Sequence, residues 1–102
     1  MTTWGVTVDV PAPVEVYDAV HAELLRRTGG AVEGLLVHLA RPTAGGFQVV
    51  EVWESREAYA HYEAEVVGPV MAGLGGPPPA GVPVATEFDV RGLVLPRGGV
   101  AV

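Results

Sequence analysis

Within residues 46–71 (GFQVVEVWESREAYAHYEAEVVGPVM) the spacing of apolar residues changes from every second position to every third or fourth, and the change falls at Ser55. A strand must therefore run straight into a helix. Side chains alternate across a strand, so Phe47, Val49, Glu51 and Trp53 share one face, and Gln48, Val50, Val52 and Glu54 share the other. One carboxylate and one indole thus sit two residues apart on an otherwise apolar surface. Ser55 suits the cap of the following helix and Glu57 its first turn. The helical stripe takes in Ala58, Tyr62, Val66 and Val70. Pro69 lacks a backbone donor and predicts a kink or break near Gly68.

The rest of the chain fits around this unit. Residues 3–10 alternate as a strand, with Trp4, Val6, Val8 and Val10 on one face and Thr7 and Asp9 on the other. Pro11-Ala12-Pro13 ends that strand and opens a helix over residues 13–28, which Arg26, Arg27 and Gly29-Gly30 close. Residues 34–41 form a second strand, apolar apart from His38. Pro42-Thr43-Ala44-Gly45-Gly46 is turn chemistry, so residues 34–41 and 46–54 pair as an antiparallel hairpin. His38 and Glu51 then fall on adjacent strands within a residue or two of register. Residues 75–83 are loop, residues 84–95 the last strand with Gly92 marking a bulge, and residues 96–102 a tail.

The order β-α-β-β-α-β predicts a ferredoxin-like α+β fold: a four-stranded antiparallel sheet with two helices on one face, in a single domain over residues 1–95. The helix-free face then needs a cover. The alternation assigns to it Thr7, Asp9, Leu36, His38, Phe47, Val49, Glu51, Trp53, Glu87, Asp89 and Arg91. This mixture of bulky apolar and titratable groups predicts a partly polar pocket, roofed by a second copy of the sheet in a homodimer.

Composition narrows the function. The net charge is -6, and the six basic residues are arginines that form no stripe, which argues against nucleic acid and anionic membranes as partners. There is no cysteine, so thiolate nucleophiles and cysteine-based zinc sites are excluded. No apolar run approaches a membrane span and the first residues lack a positive flank, so a cytoplasmic protein is expected. No phosphate-binding glycine loop or nucleophile elbow is present. Nothing in the spacing demands a metal site.

The element order, together with E-x-W-E-S-x-E-A over residues 51–58, resembles the antibiotic biosynthesis monooxygenase family of the dimeric α+β barrel superfamily. The resemblance covers roughly residues 3–95. It implies a homodimer whose sheets pack face to face, with a pocket in each subunit. It also implies oxygenation of an aromatic polyketide with no metal or flavin cofactor, the deprotonated substrate itself supplying electrons to dioxygen. Cyclases and haem-degrading enzymes are among the relatives. Where the family often carries a histidine four residues after the alanine, this chain has Tyr62. His61 arrives one residue early, about 100° round the helix.

Two readings stand for each candidate residue. His38 is either a satisfied core histidine or a general base tuned by Glu51. Glu51 is either a register-fixing partner of His38 or Arg91, or a base or orienter of His38. Arg91 either pairs with Asp89 at the dimer seam or steadies an oxyanion. Trp53 and Phe47 are either core or ring-holding walls. Leu36, Val49, Tyr62 and Asp89 complete the expected substrate-binding set. Tyr17 is assigned to the helix–sheet layer, while His21, Tyr59, His61 and Glu63 are placed at the solvent. The expected function is a monooxygenase acting on a small aromatic substrate. The alternatives are a cyclase or isomerase working by enolisation without oxygen, and a ligand-binding dimer without chemistry.

Overall fold

The computed structural model describes residues 3–74 and 81–96. Strand β1 spans Trp4–Val10, helix α1 Val14–Thr28, β2 Leu35–Thr43, β3 Gly46–Trp53, α2 Arg56–Tyr62, α3 Gly68–Leu74 and β4 Val84–Asp89. Residues 75–80 of the expected loop and 97–102 of the expected tail lie outside the described residues. The strands form one antiparallel sheet in the order β2-β3-β1-β4, the ferredoxin-like arrangement the element order predicts.

Local chemistry explains the boundaries. The αL glycine Gly29 ends α1 and donates its N–H to the Leu25 carbonyl. The Ser55 hydroxyl accepts from Ala58 N at 3.1 Å and starts α2. Between α2 and α3 the helix does not break. It widens into one π-helical turn, Glu63–Val67, in which Gly68 N–H donates five residues back to the Glu63 carbonyl. Pro69 cannot donate and would crowd the carbonyl of Glu65, so the extra residue absorbs the misfit that a kink would otherwise relieve.

The hairpin turns through Ala44 and Gly45, and Thr43 faces Gly46. Gly46 has φ 155°, and a Cβ there would strike the Val10 carbonyl, so only glycine lets β3 leave the turn against the end of β1. Leu36 is the extra residue of a β-bulge between Leu35 and Val37. β4 is shorter than the expected 84–95. It pairs only with β1, and β1 runs out where Trp4 meets Asp89. Gly92 therefore lies beyond the sheet and marks no bulge.

Which side the helices take is the main correction. Tyr17 of α1 reaches His38, and Tyr59 and Tyr62 of α2 pack on Trp53. Phe47, Val49, Glu51 and Trp53, with His38 opposite Glu51, therefore face the helices. The register adds Trp4, Val6, Val8, Glu87 and Asp89 to that side. Thr7 and Asp9 pair with Val50 and Gln48 on the opposite side. Strand alternation fixes which residues share a face. It cannot say which face the helices cover when both are rich in valine.

The helix-free face carries Val37, Leu39, Val50, Val52, Val84 and Phe88. The Phe88 ring lies over Gly5, where any Cβ would collide with it. Leu39 and Val84 remain 47% and 59% exposed there. A polar ladder crosses the same face: Arg41 donates to Gln48, and Gln48 to Asp9. No helix among the described residues is long and apolar enough to cross a membrane.

Candidate functional site

Glu51 is the one buried charged residue among those described, at 8% exposure. β3 carries it into the layer between sheet and helices, and two side chains satisfy it, one on β2 and one on β3 itself. His38 stands directly opposite on β2, and its Nδ1–H donates to Glu51 Oε2 at 2.6 Å. Trp53, two residues along β3, donates its indole N–H to Glu51 Oε1 at 3.2 Å. A carboxylate only accepts, so Nδ1 of His38 carries a proton and Nε2 is left for other work. That nitrogen meets the Tyr17 hydroxyl of α1 at 2.7 Å. The same hydroxyl lies 3.1 Å from Nδ1 of His21, one helical turn further on.

The result is a continuous hydrogen-bonded chain from Trp53 through Glu51, His38 and Tyr17 to His21. It is anchored in the core at one end and half-exposed at the other. The His38 side chain is 24% exposed. The rings of His21 and His38 are parallel to within 4° at 5.6 Å. Phe47 is buried against the Tyr17 ring at 5.5 Å. Among the described residues no buried side-chain nitrogen or oxygen lacks a partner.

The electrostatics follow from enclosure. Burial, reinforced by the Glu51 charge, pushes Tyr17 up to about 12. Tyr59 rises to about 12, again first through burial, and Tyr62 is raised for the same reason. The π-helical turn brings Glu63 into this layer, where burial and then the Glu51 charge raise its pKa. Tyrosines in this layer stay neutral at physiological pH and act as donors and acceptors together.

The expected residues divide into two groups. His38, Glu51, Trp53, Phe47 and Tyr62 are gathered, with Val49 in register beside them between Val8 and Ala40. Leu36 is half-buried in the bulge and has no polar role in the chain. Asp89 is exposed opposite Trp4. Arg91 lies two residues past β4, exposed and outside every ion pair of the described residues. The last-strand carboxylate that does pair is Glu87, which accepts from Arg56 at 3.0 Å and from Trp4 Nε1 at 2.9 Å. The expected Asp89–Arg91 pair and the Arg91–Glu51 contact are absent because the strand ends first.

Trp53 is fully buried. Its N–H steadies Glu51, and its ring supports Tyr59 and Tyr62. Two surface hollows, of about 460 and 310 Å³, open at the other end of the sheet, by Pro11, Thr43 and Gly45. Of the gathered residues, only Phe47 reaches one of them. Neither hollow lies beside Trp53, whose ring packs against Tyr59 and Tyr62.

The sequence reading placed three of these residues wrongly. His21 is half-buried, not exposed. Tyr59 is wedged between Trp4 at 4.9 Å and Trp53 at 5.7 Å. Glu63 is half-buried and not on a solvated face. The spacing of Tyr17 and His21, four residues apart on α1, was the available signal. Among the described residues no group of three or more acidic, histidine or cysteine side chains is placed to hold a metal.

Neither the models of known protein families nor the sequences of curated proteins match the chain. Solved structures do match in fold. A Caulobacter crescentus protein whose name assigns it to the antibiotic biosynthesis monooxygenases aligns at TM-score 0.70 and 21% identity, over 89% of this chain and 92% of its own. SnoaB of Streptomyces nogalater, a cofactor-independent oxygenase, aligns at 0.58 and 16%, over 94% and 97%. A dimeric ferredoxin-like protein of Thermobifida fusca aligns at 0.61 and 15%, over 87% and 92%. The chain has the fold of proteins that carry the family name its sequence resembles.

Proposed function

We propose that this protein is a cofactor-independent monooxygenase acting on an acidic aromatic substrate of the polyketide kind, in the secondary metabolism of the cytoplasm. The observation that carries the reading is the Glu51–His38–Tyr17 chain. It is built as a general base: a carboxylate fixes the imidazole tautomer, and the imidazole accepts through a hydroxyl. The substrate gives a proton to the Tyr17 oxygen while the Tyr17 proton passes to His38 Nε2. Glu51 offsets the charge of the imidazolium that results.

The chemistry balances without a metal or flavin. An activated methylene loses its proton to the chain. The carbanion gives its electron pair to dioxygen, forming a C–O bond and a peroxide anion that takes up a proton from solvent to become the hydroperoxide. Loss of water leaves a ketone. Phe47, Val49 and Tyr62 are the walls of this reading, and Trp53 is a positioning residue for Glu51. Arg91 has no part in it. The shared fold with SnoaB supports the reading.

The helix-free face is the proposed seat of a second copy. Its exposed Leu39, Val84 and Phe88 support this, as does the shared fold with the dimeric protein of Thermobifida fusca.

The test is oxygen uptake with anthrone as probe. One dioxygen is consumed per substrate, and His38→Ala remains folded but loses at least about a hundredfold in kcat. An unchanged rate in His38→Ala refutes the proposal. Turnover of an enolisable substrate under nitrogen would favour a cyclase or isomerase instead. A second reading takes the chain as a purely structural network. It draws on the full burial of Trp53 and the complete pairing of the cluster. In that case His38→Ala lowers stability by about 1–3 kcal/mol, and no substrate is turned over by either protein.

A further inference from the structure

The two imidazoles stack in parallel, but neither ring bonds to the other. The group that joins them is the Tyr17 hydroxyl, at 2.7 Å from His38 Nε2 and 3.1 Å from His21 Nδ1. Nδ1 of His38 is committed to Glu51. A proton on the His38–Glu51 pair therefore has one hydrogen-bonded way out among the described residues, through Nε2 to Tyr17. Beyond Tyr17 that way leads to His21, which is half-exposed on α1. The helical spacing of Tyr17 and His21 sets this geometry from a single element.

We propose that His21 is the proton outlet of the His38–Glu51 pair, with the Tyr17 hydroxyl as the bridge. The proposal rests on the acid–base reading of the site given above. The step moves one proton and no electrons. His38 gives its Nε2 proton to the Tyr17 oxygen as Tyr17 gives its own proton to His21 Nδ1. The O–H bond that breaks at Tyr17 is replaced by the one that forms, so the phenol stays neutral. His38 returns to its accepting form with Nδ1–H still on Glu51. His21 then releases a proton to solvent, and rotation of the hydroxyl resets the bridge.

The surroundings suit this traffic. Glu51 and Asp18 are the charged groups that act on Tyr17, and both are acidic, so they disfavour loss of its proton. α3, which packs against α1, contributes no titratable residue. The raised pKa of Tyr17 keeps the bridge from resting as a phenolate. His21 does not touch the substrate in this scheme, so it is a positioning and relay residue.

Side-chain ¹⁵N NMR of the histidines across neutral pH tests the relay without any substrate. In the full chain, His38 and His21 should titrate as one coupled system. In Tyr17→Phe they should separate into two independent curves, and in His21→Gln the Nε2 signal of His38 should shift. Identical, independent curves in the wild type and Tyr17→Phe, with His38 unmoved in His21→Gln, overturn the proposal. Kinetics with anthrone supply the second arm. His21→Gln should lower kcat about tenfold in dilute buffer and leave KM unchanged, and added imidazole should restore the rate. A wild-type kcat for His21→Gln in dilute buffer also overturns it. If the wild type consumes no anthrone, the oxygenase reading fails, and the NMR curves still decide the relay.

Discussion

Replacing Glu51 by Gln changes few atoms and reverses the polarity of the whole chain. The new amide can keep its oxygen on the Trp53 N–H, which sets its NH2 against His38 Nδ1. His38 must then present a lone pair there and carry its proton on Nε2. Nε2–H now donates to Tyr17, and the base has lost the lone pair through which it accepts. The opposite amide rotamer sets two donors, NH2 and the Trp53 N–H, against each other in the core.

The magnitude follows from the bonds seen. A charge-assisted hydrogen bond contributes about 1.5–3 kcal/mol and a neutral one about 0.5–1.5, so the substitution costs roughly 1–2 kcal/mol. For a domain of this size that lowers Tm by about 5–15 °C. The loss in turnover is far larger, because a base that presents the wrong tautomer forfeits the roughly 10²–10⁴-fold that general base catalysis supplies. Urea denaturation followed by circular dichroism gives the first number, and oxygen uptake with anthrone gives the second. Histidine ¹⁵N shifts report the tautomer directly. A Glu51→Gln protein in which His38 still carries its proton on Nδ1, or which turns over within about twofold of wild type, refutes the reasoning.

The alkaline limit is set by the tyrosines. All three are raised, Tyr17 and Tyr59 to about 12, so the folded protein holds protons that the unfolded chain releases around the ordinary tyrosine value of 10.0. Stability should therefore be complete below pH 10 and fall as pH rises toward about 12. Phenolate absorbance that develops near pH 10 in the folded protein would contradict this. Glu63 follows the same sign in a lower window, so it already costs stability at neutral pH, since its raised pKa means folding disfavours its charge. Glu63→Gln should raise the urea midpoint at pH 7 and give no gain below the ordinary glutamate value of 4.5. A lower midpoint at pH 7 would show that the carboxylate has a partner that matters. Leu39→Arg together with Phe88→Arg should turn a dimer into a folded monomer in sedimentation equilibrium, because both side chains stand on the helix-free face. An unchanged mass would place the interface elsewhere.

Much of the scaffold was legible in the sequence. The change of period at Ser55 and the Pro-Gly punctuation at residues 11–13, 29–30 and 42–46 sufficed for the element order and the hairpin, because turn chemistry and periodicity are local. The pairing of His38 with Glu51 followed from the turn length. The π-helical turn was not legible. Pro69 announced a disturbance, but whether a helix kinks or takes in an extra residue depends on what its widened turn packs against.

The site was legible only in part. Alternation correctly put His38, Glu51 and Trp53 on one face, since side-chain period along a strand is a covalent matter. It could not say which face, because the valines of β3 line both, and only the docking of α1 and α2 chose. That choice moved the cluster from a roofed cleft into the helix–sheet layer, buried Trp53, and brought Tyr17 and His21 to His38. It also set Arg91 aside, since β4 ends where its partner β1 begins. The residues themselves fix what each strand can present. Which groups meet across elements is decided by tertiary packing, where helix docking and strand length are settled by contacts far apart in the chain.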